Sequence, residues 1–204
     1  MTARALRRGA VPRRILAALL GMAALTALWD FAPRGAPPPP PPLSADLAQI
    51  AARRAEAAFA DAQALWAELF RAELGRDYAP AELRHFSRTT PSICAGTVAA
   101  AGPFYCAATR IVATDLAFLD ALGGRLRQDA QRGAAVFVAR IVAAHVEAEL
   151  DSAGSPSETA ETERADCLAG VWAHHAAPRI GAVSPDLYGR MLTSAREVAA
   201  EAGT

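Results

Sequence analysis

Residues 137–150 read FVARIVAAHVEAEL. Nearly every position is apolar or small around a single Arg. The stretch predicts a buried helix. Arg140 stands in its middle, and His145, Glu147 and Glu149 follow toward its end. A guanidinium on such a helix needs an anionic partner or a path to water. Where Arg140 goes is the question the rest of the chain must answer.

Outward from this stretch, helical periodicity alternates with Gly and Pro punctuation. Residues 115–126, 133–150, 157–175 and 185–201 read as helices. Toward the N-terminus, SADLAQIAARRAEAAFADAQALWAELFRAEL (44–74) has Ser44 placed to cap it. Leu47, Ile50, Phe59, Leu65, Trp66, Leu69 and Phe70 form its apolar stripe, and Gly75 ends it. This is a long amphipathic helix. Residues 82–116 change character, and β-prone pieces such as PFYC and RIVATDL predict two or three short strands. Helix, small sheet, then helices is an α+β arrangement, mostly α.

Composition narrows the classes. The chain has 204 residues, of which 44–204 are enough for one core. All 21 basic residues are Arg. Residues 1–34 hold six Arg and one Asp, whereas 35–204 hold 15 Arg against 20 acidic groups. A mildly acidic body argues against nucleic acid as a partner. Cys94 and Cys106 lie twelve apart and are able to close one loop, while Cys167 in ADCLAGVW reads as a small buried hydrophobe.

The first 14 residues are basic, and an uncharged apolar run of 15 follows from Ile15 to Trp29. A spanning helix needs about 20 residues, which snorkelling arginines and an interfacial Trp29 bring within reach. A cleaved signal also fits the length, although no A-x-A site follows. We take 1–32 as a signal or transmembrane anchor, with its basic flank in the cytoplasm. Arg13 and Arg14 hint in addition at twin-arginine export. Residues 33–43 form a linker whose six consecutive prolines, 37–42, favour an extended polyproline rod of roughly 20 Å. The expected location is therefore a single pass in the inner membrane, with the body in the periplasm or outside the cell.

Four blocks then resemble a known family. They are Asp61 and Trp66 in ADAQALWAELF, the segment CAGTVAAAGPFYC (94–106), Asp115 and Phe118 in TDLAFL, and ADCLAGVWAHH (165–175). In this order and spacing, across residues 59–195, they resemble the bacterial neutral zinc metallopeptidases. The resemblance implies an N-terminal anchor and a zincin-like, mostly helical domain whose family activity is peptide hydrolysis. It also implies a catalytic helix with the pattern HExxHH, where residues i and i+4 share one face and hold one zinc while the Glu activates water.

Aligned on that pattern, this chain reads RIVAAH. Arg140 takes the first ligand's place, Ile141 the base's and Ala144 the second ligand's; His145 matches the last His of the pattern. The family's third ligand lies four residues before the Asp of ADC, which here is Thr162, while Asp166 itself is kept. The turn after Cys106 also departs from the family, and the chain stops at Thr204, before the segment that ends typical relatives.

The expectation is a membrane-anchored, exported homologue without catalysis and without a cofactor, acting as a binding or structural module. Asp166, deprived of a nearby metal, either gains Arg140 as its cation or leaves Arg140 to snorkel. His145, 100° around the helix from position 144, is expected at the rim or in solvent. His174 and His175 are expected to pack or cap, and His85 carries no signal. The alternative is an active zinc peptidase with displaced ligands drawn from His145, Glu149, and Glu161 or Glu163. Expected partners are the membrane, through the N-terminal helix, and an extended peptide or envelope protein, since clefts of this kind hold peptides along a strand edge.

Overall fold

The computed structural model describes residues 42–88, 94, 102–150 and 158–202, with no side-chain description for 158–162. Residues 1–41, which carry the expected anchor and nearly all of the linker, lie outside the described residues. Residues 42–204 form one compact unit.

Helix α1 (Ala45–Leu74) starts where expected: Ser44 Oγ accepts from Leu47 N at 3.4 Å. It stops at Gly75, whose φ of +64° is the left-handed cap conformation that glycine adopts without strain. Its buried stripe is Ala51, Ala55, Ala58, Ala62, Leu65, Trp66 and Phe70. Four alanines in the first half of that stripe keep it narrow, and the bulky residues follow in the second.

Three strands follow, β1 (Glu82–Phe86), β2 (Phe104–Cys106) and β3 (Ile111–Asp115), in the sheet order β1-β3-β2. β1 runs parallel to β3, with Leu83 opposite Val112, and β2 runs antiparallel to it, with Tyr105 opposite the same Val112. Cys94 and Cys106 are joined in a disulfide with Cα atoms 5.8 Å apart. At the end of β3, Asp115 Oδ1 accepts from Ala117 N at 3.0 Å and Phe118 N at 3.3 Å, capping α2 (Leu116–Leu126), and from Arg88 N at 3.2 Å. One carboxylate thus fixes the turn from sheet to helix.

A short 3-10 turn (Arg127–Asp129) leads into α3 (Ala130–Glu149), followed by α4 (Glu158–Ile180) and α5 (Pro185–Ala202). The opening stretch is the second half of α3. That helix buries Val136, Val138, Ala139, Ile141, Val142, Ala143, His145 and Val146, which is too many directions for a surface helix. α1, α2, α4 and α5 surround it, and the core joins Trp66, Phe70, Leu122, Val142, Trp172 and Met191. The architecture is mostly α with one small sheet. α4 runs past the expected end at His175, through Pro178 in its last turn, and Arg179 Nη1 donates to the His175 carbonyl at 3.2 Å.

Cys167 corrects the sequence reading. It is exposed. The buried face of α4 carries Ala165, Ala169, Trp172, Ala173 and Ala176, and position 167 lies about 200° around the helix from both 165 and 169. No helix among the described residues is long and apolar enough to cross a membrane.

Candidate functional site

Arg140 leaves α3 toward α4. Its Nε donates to Asp166 Oδ1 at 2.5 Å, and the two side chains are 24% and 30% exposed. Tyr188 of α5 donates its hydroxyl to the same oxygen at 2.9 Å. Burial, then the Asp166 hydrogen bond and its charge, raise the Tyr188 phenol above its ordinary value of 10, which keeps it a donor. Three helices therefore meet on one carboxylate, and a guanidinium supplies the balancing charge. Further along the same helix pair, Arg164 Nε donates to Glu147 Oε1 at 2.7 Å with the signs reversed.

The neighbouring positions hold no metal chemistry. Ile141 is buried in the core and Ala144 is half-buried, and neither side chain has a donor atom. A guanidinium cannot shed its proton to become a ligand, and zinc requires neutral imidazole, thiolate or carboxylate in a tetrahedral set. Residues 140, 141 and 144 therefore do not fit a zinc ion. Thr162 and Glu161 have no described side chains, so their share of the sequence expectation lies outside the described residues.

His145 is fully buried, which overturns the expectation of a rim position. Two segments cover the face 100° from Ala144. The chain after α1 brings Ala79, whose carbonyl oxygen accepts from Nε2 at 2.7 Å, and β2 brings Tyr105, whose hydroxyl meets Nδ1 at 2.9 Å. Tyr78 lies edge-on to the ring at 5.4 Å. Since a carbonyl only accepts, Nε2 carries the proton and neutral Nδ1 accepts from Tyr105. Burial lowers the imidazole below 6.5, Arg110 adds to this, and the Ala79 carbonyl and Glu149 oppose it.

Both ring nitrogens are thus committed. Glu149 has its side chain 17% exposed and lies 3.6 Å from Arg110, and Glu163 is exposed. The described members of the displaced-ligand set do not converge. Among the described residues no group of three or more His, Cys, Asp and Glu could hold a metal.

His174 and His175 are both exposed and lie edge-on to each other at 5.6 Å, so neither packs into the core. His85 is placed between two partners, Nδ1 at 2.6 Å from Thr114 Oγ1 and Nε2 at 3.3 Å from Glu56. This hydroxyl–imidazole–carboxylate line is no nucleophile relay, because Thr114 is fully buried. Asp61 accepts from Trp172 Nε1 at 2.9 Å and pairs with Arg179 at 2.7 Å, tying α1 to α4.

Sequence reasoning missed the tyrosines. The chain has three, and Tyr78 and Tyr105 lie at His145 while Tyr188 lies at Asp166. Their scarcity was the available signal.

Fold and site together define a mostly helical α+β domain whose central helix carries an ion pair at Arg140 and no side chain able to ligate zinc at positions 140, 141 and 144. The sequence profile of the family described as "Putative neutral zinc metallopeptidase" matches residues 43–202. The chain belongs to this family. Over 123 residues it is 29% identical to "Uncharacterized protein YpfJ" of Escherichia coli strain K12. The same figures hold for the protein of that name in Escherichia coli O6:H1 strain CFT073. The match covers 53% of this chain and 42% of each relative, so the chain spans less than half the length of these curated relatives. No solved structure matches the chain.

Proposed function

We propose that this chain is a catalytically inactive member of the neutral zinc metallopeptidase family, which works as a binding or structural module of the cell envelope. The observation that carries the reading is the contact between Arg140 and Asp166. In the family pattern as it aligns here, position 140 is a metal ligand, and a carboxylate at 166 would support a ligand from outside the metal's immediate shell. Loss of a divalent cation leaves such a carboxylate without a counter-charge, at a cost of several kcal/mol when it is enclosed. A guanidinium at 140 restores the charge from inside the fold. Ile141, packed in the core where the pattern has its base, supports the same reading.

Residues 1–32 anchor the chain in the inner membrane in this proposal, 33–43 hold the body off the bilayer, and the body is exported. The basic N-terminal flank, the 15-residue apolar run and the proline tract support it. Export also suits the Cys94–Cys106 disulfide, since such bonds persist in oxidising compartments.

The test is hydrolysis of casein and of a mixed peptide library by the full chain with added zinc. No cleavage above a heat-treated control is expected. Cleavage that stops on adding a chelator and returns with zinc would overturn the proposal.

A further inference from the structure

A groove of about 500 Å³ shares no lining residue with the contact among Arg140, Asp166 and Tyr188. Its walls come from α1, the start of α3 and the end of α4. Ile50, Ala57, Ala58, Ala135 and Ile180 give it an apolar lining, with the buried Trp172 behind. That volume is within the range of pockets that take ligands.

The charge of this groove departs from that of the body. Residues 35–204 carry 15 Arg against 20 acidic groups, yet the groove is lined by Arg53, Arg54 and Arg179 against Asp61 alone. Asp61 is already answered: Arg179 lies 2.7 Å from it and Trp172 Nε1 donates to it at 2.9 Å. Arg53 and Arg54 are exposed and have no ion-pair partner among the described residues. Arg54 also borders a smaller hollow with Asp120. An apolar trough bearing unanswered guanidinium groups is complementary to carboxylates carried on an apolar chain.

Length selects the kind of ligand. The α1 wall extends from Ile50 to Asp61, which at 1.5 Å per residue is about 16 Å. An extended peptide covers that distance in about five residues at roughly 3.3 Å each. Alternate side chains of such a peptide would face the apolar lining and the arginines. A bilayer surface does not enter a trough between helices.

We propose that this groove binds an acidic, partly apolar peptide segment, with Arg53 and Arg54 recognising its carboxylates. The proposal goes beyond the inactive-homologue reading and does not depend on it.

The test is fluorescence anisotropy of the full chain with a labelled octapeptide alternating Glu and Leu, and with its counterpart alternating Lys and Leu. The expected result is saturable binding of the Glu peptide, weakened at least tenfold by Arg53→Glu with Arg54→Glu, and weak binding of the Lys peptide. Circular dichroism of the double variant should match the parent, and the single changes Arg53→Ala and Arg54→Ala should weaken binding less. Equal affinity for both peptides would overturn the proposal, as would binding of the Glu peptide unchanged by the double substitution. Arginine-dependent binding to phosphatidylglycerol vesicles with none to the Glu peptide would overturn it in favour of a membrane surface.

Discussion

Arg140 Nε and Asp166 Oδ1 lie 2.5 Å apart between α3 and α4, and Tyr188 of α5 closes on the same oxygen at 2.9 Å. The guanidinium in the middle of the buried helix therefore has an anion, and the anion has a cation.

Removing one partner should cost more than removing both. Arg140→Ala is expected to lower unfolding stability by about 2 kcal/mol, the scale of a hydrogen bond to a charged group in a partly enclosed site. In the double change with Asp166→Asn, much of that loss should return, leaving a coupling of about 1 kcal/mol or more. Denaturant melts of the two singles and the double decide it. Small, strictly additive effects would mean that the pair is ornamental.

Acid should weaken the fold through His145. Its folded pKa lies below the unfolded 6.5 because burial disfavours the imidazolium. The unfolded chain therefore binds more protons in the interval between the two values. Stability is full above 6.5 and falls as pH drops through that interval. Tyr78, Tyr105, Glu149 and Arg110 face or bias the ring. In His145→Gln, which keeps a donor and an acceptor, the loss between pH 7.5 and pH 5 should be smaller than in the parent. Equal losses would assign the acid sensitivity to other groups.

Much of this fold is legible in the chain because its element ends are written in local chemistry. Ser44, Gly75 and Asp115 act within five residues of where they stand, so the start and stop of α1 and the start of α2 follow from neighbours. The three strands fall inside the segment expected to hold two or three. The sites are less legible because their partners come from far along the chain. Helix register alone sends His145 to the rim, yet Ala79 is 66 residues away and Tyr105 is 40 away, and those two cover it. Tyr188 reaches Asp166 from the following helix, where nothing in SPDLYGRML announces a contact. Cys167 has apolar neighbours in the sequence, but its angular position on α4 puts it away from the face that Ala165 and Ala169 bury.

The disulfide should contribute to stability. Closing a loop of about a dozen residues is worth roughly 3 kcal/mol in the chain-entropy model. Cys94→Ala with Cys106→Ala is expected to lower the denaturation midpoint accordingly, and added reductant should move the parent toward the variant. Mass spectrometry of the non-reduced protein should find the two residues linked and Cys167 open to alkylation, since it is exposed. An unlinked pair under oxidising conditions would contradict this.

Rebuilding the family pattern should create metal affinity. Arg140→His, Ile141→Glu, Ala144→His and Thr162→Glu together restore two imidazoles one turn apart on α3 with carboxylates beside them. Isothermal titration with zinc should then show one site per chain that the parent lacks. Hydrolysis need not return, because the surroundings of such a site are a separate requirement. A fourfold variant that folds and binds no zinc would show that the register from 140 to 166 has been misread.

The most direct measurement is the zinc content of the full chain, purified without chelator from zinc-supplemented cells and quantified by inductively coupled plasma mass spectrometry. Arg140 in the place of a ligand predicts no stoichiometric zinc, because positions 140, 141 and 144 supply no ligand to a tetrahedral site. One zinc per chain, retained through dialysis and lost in His145→Ala, would contradict the account.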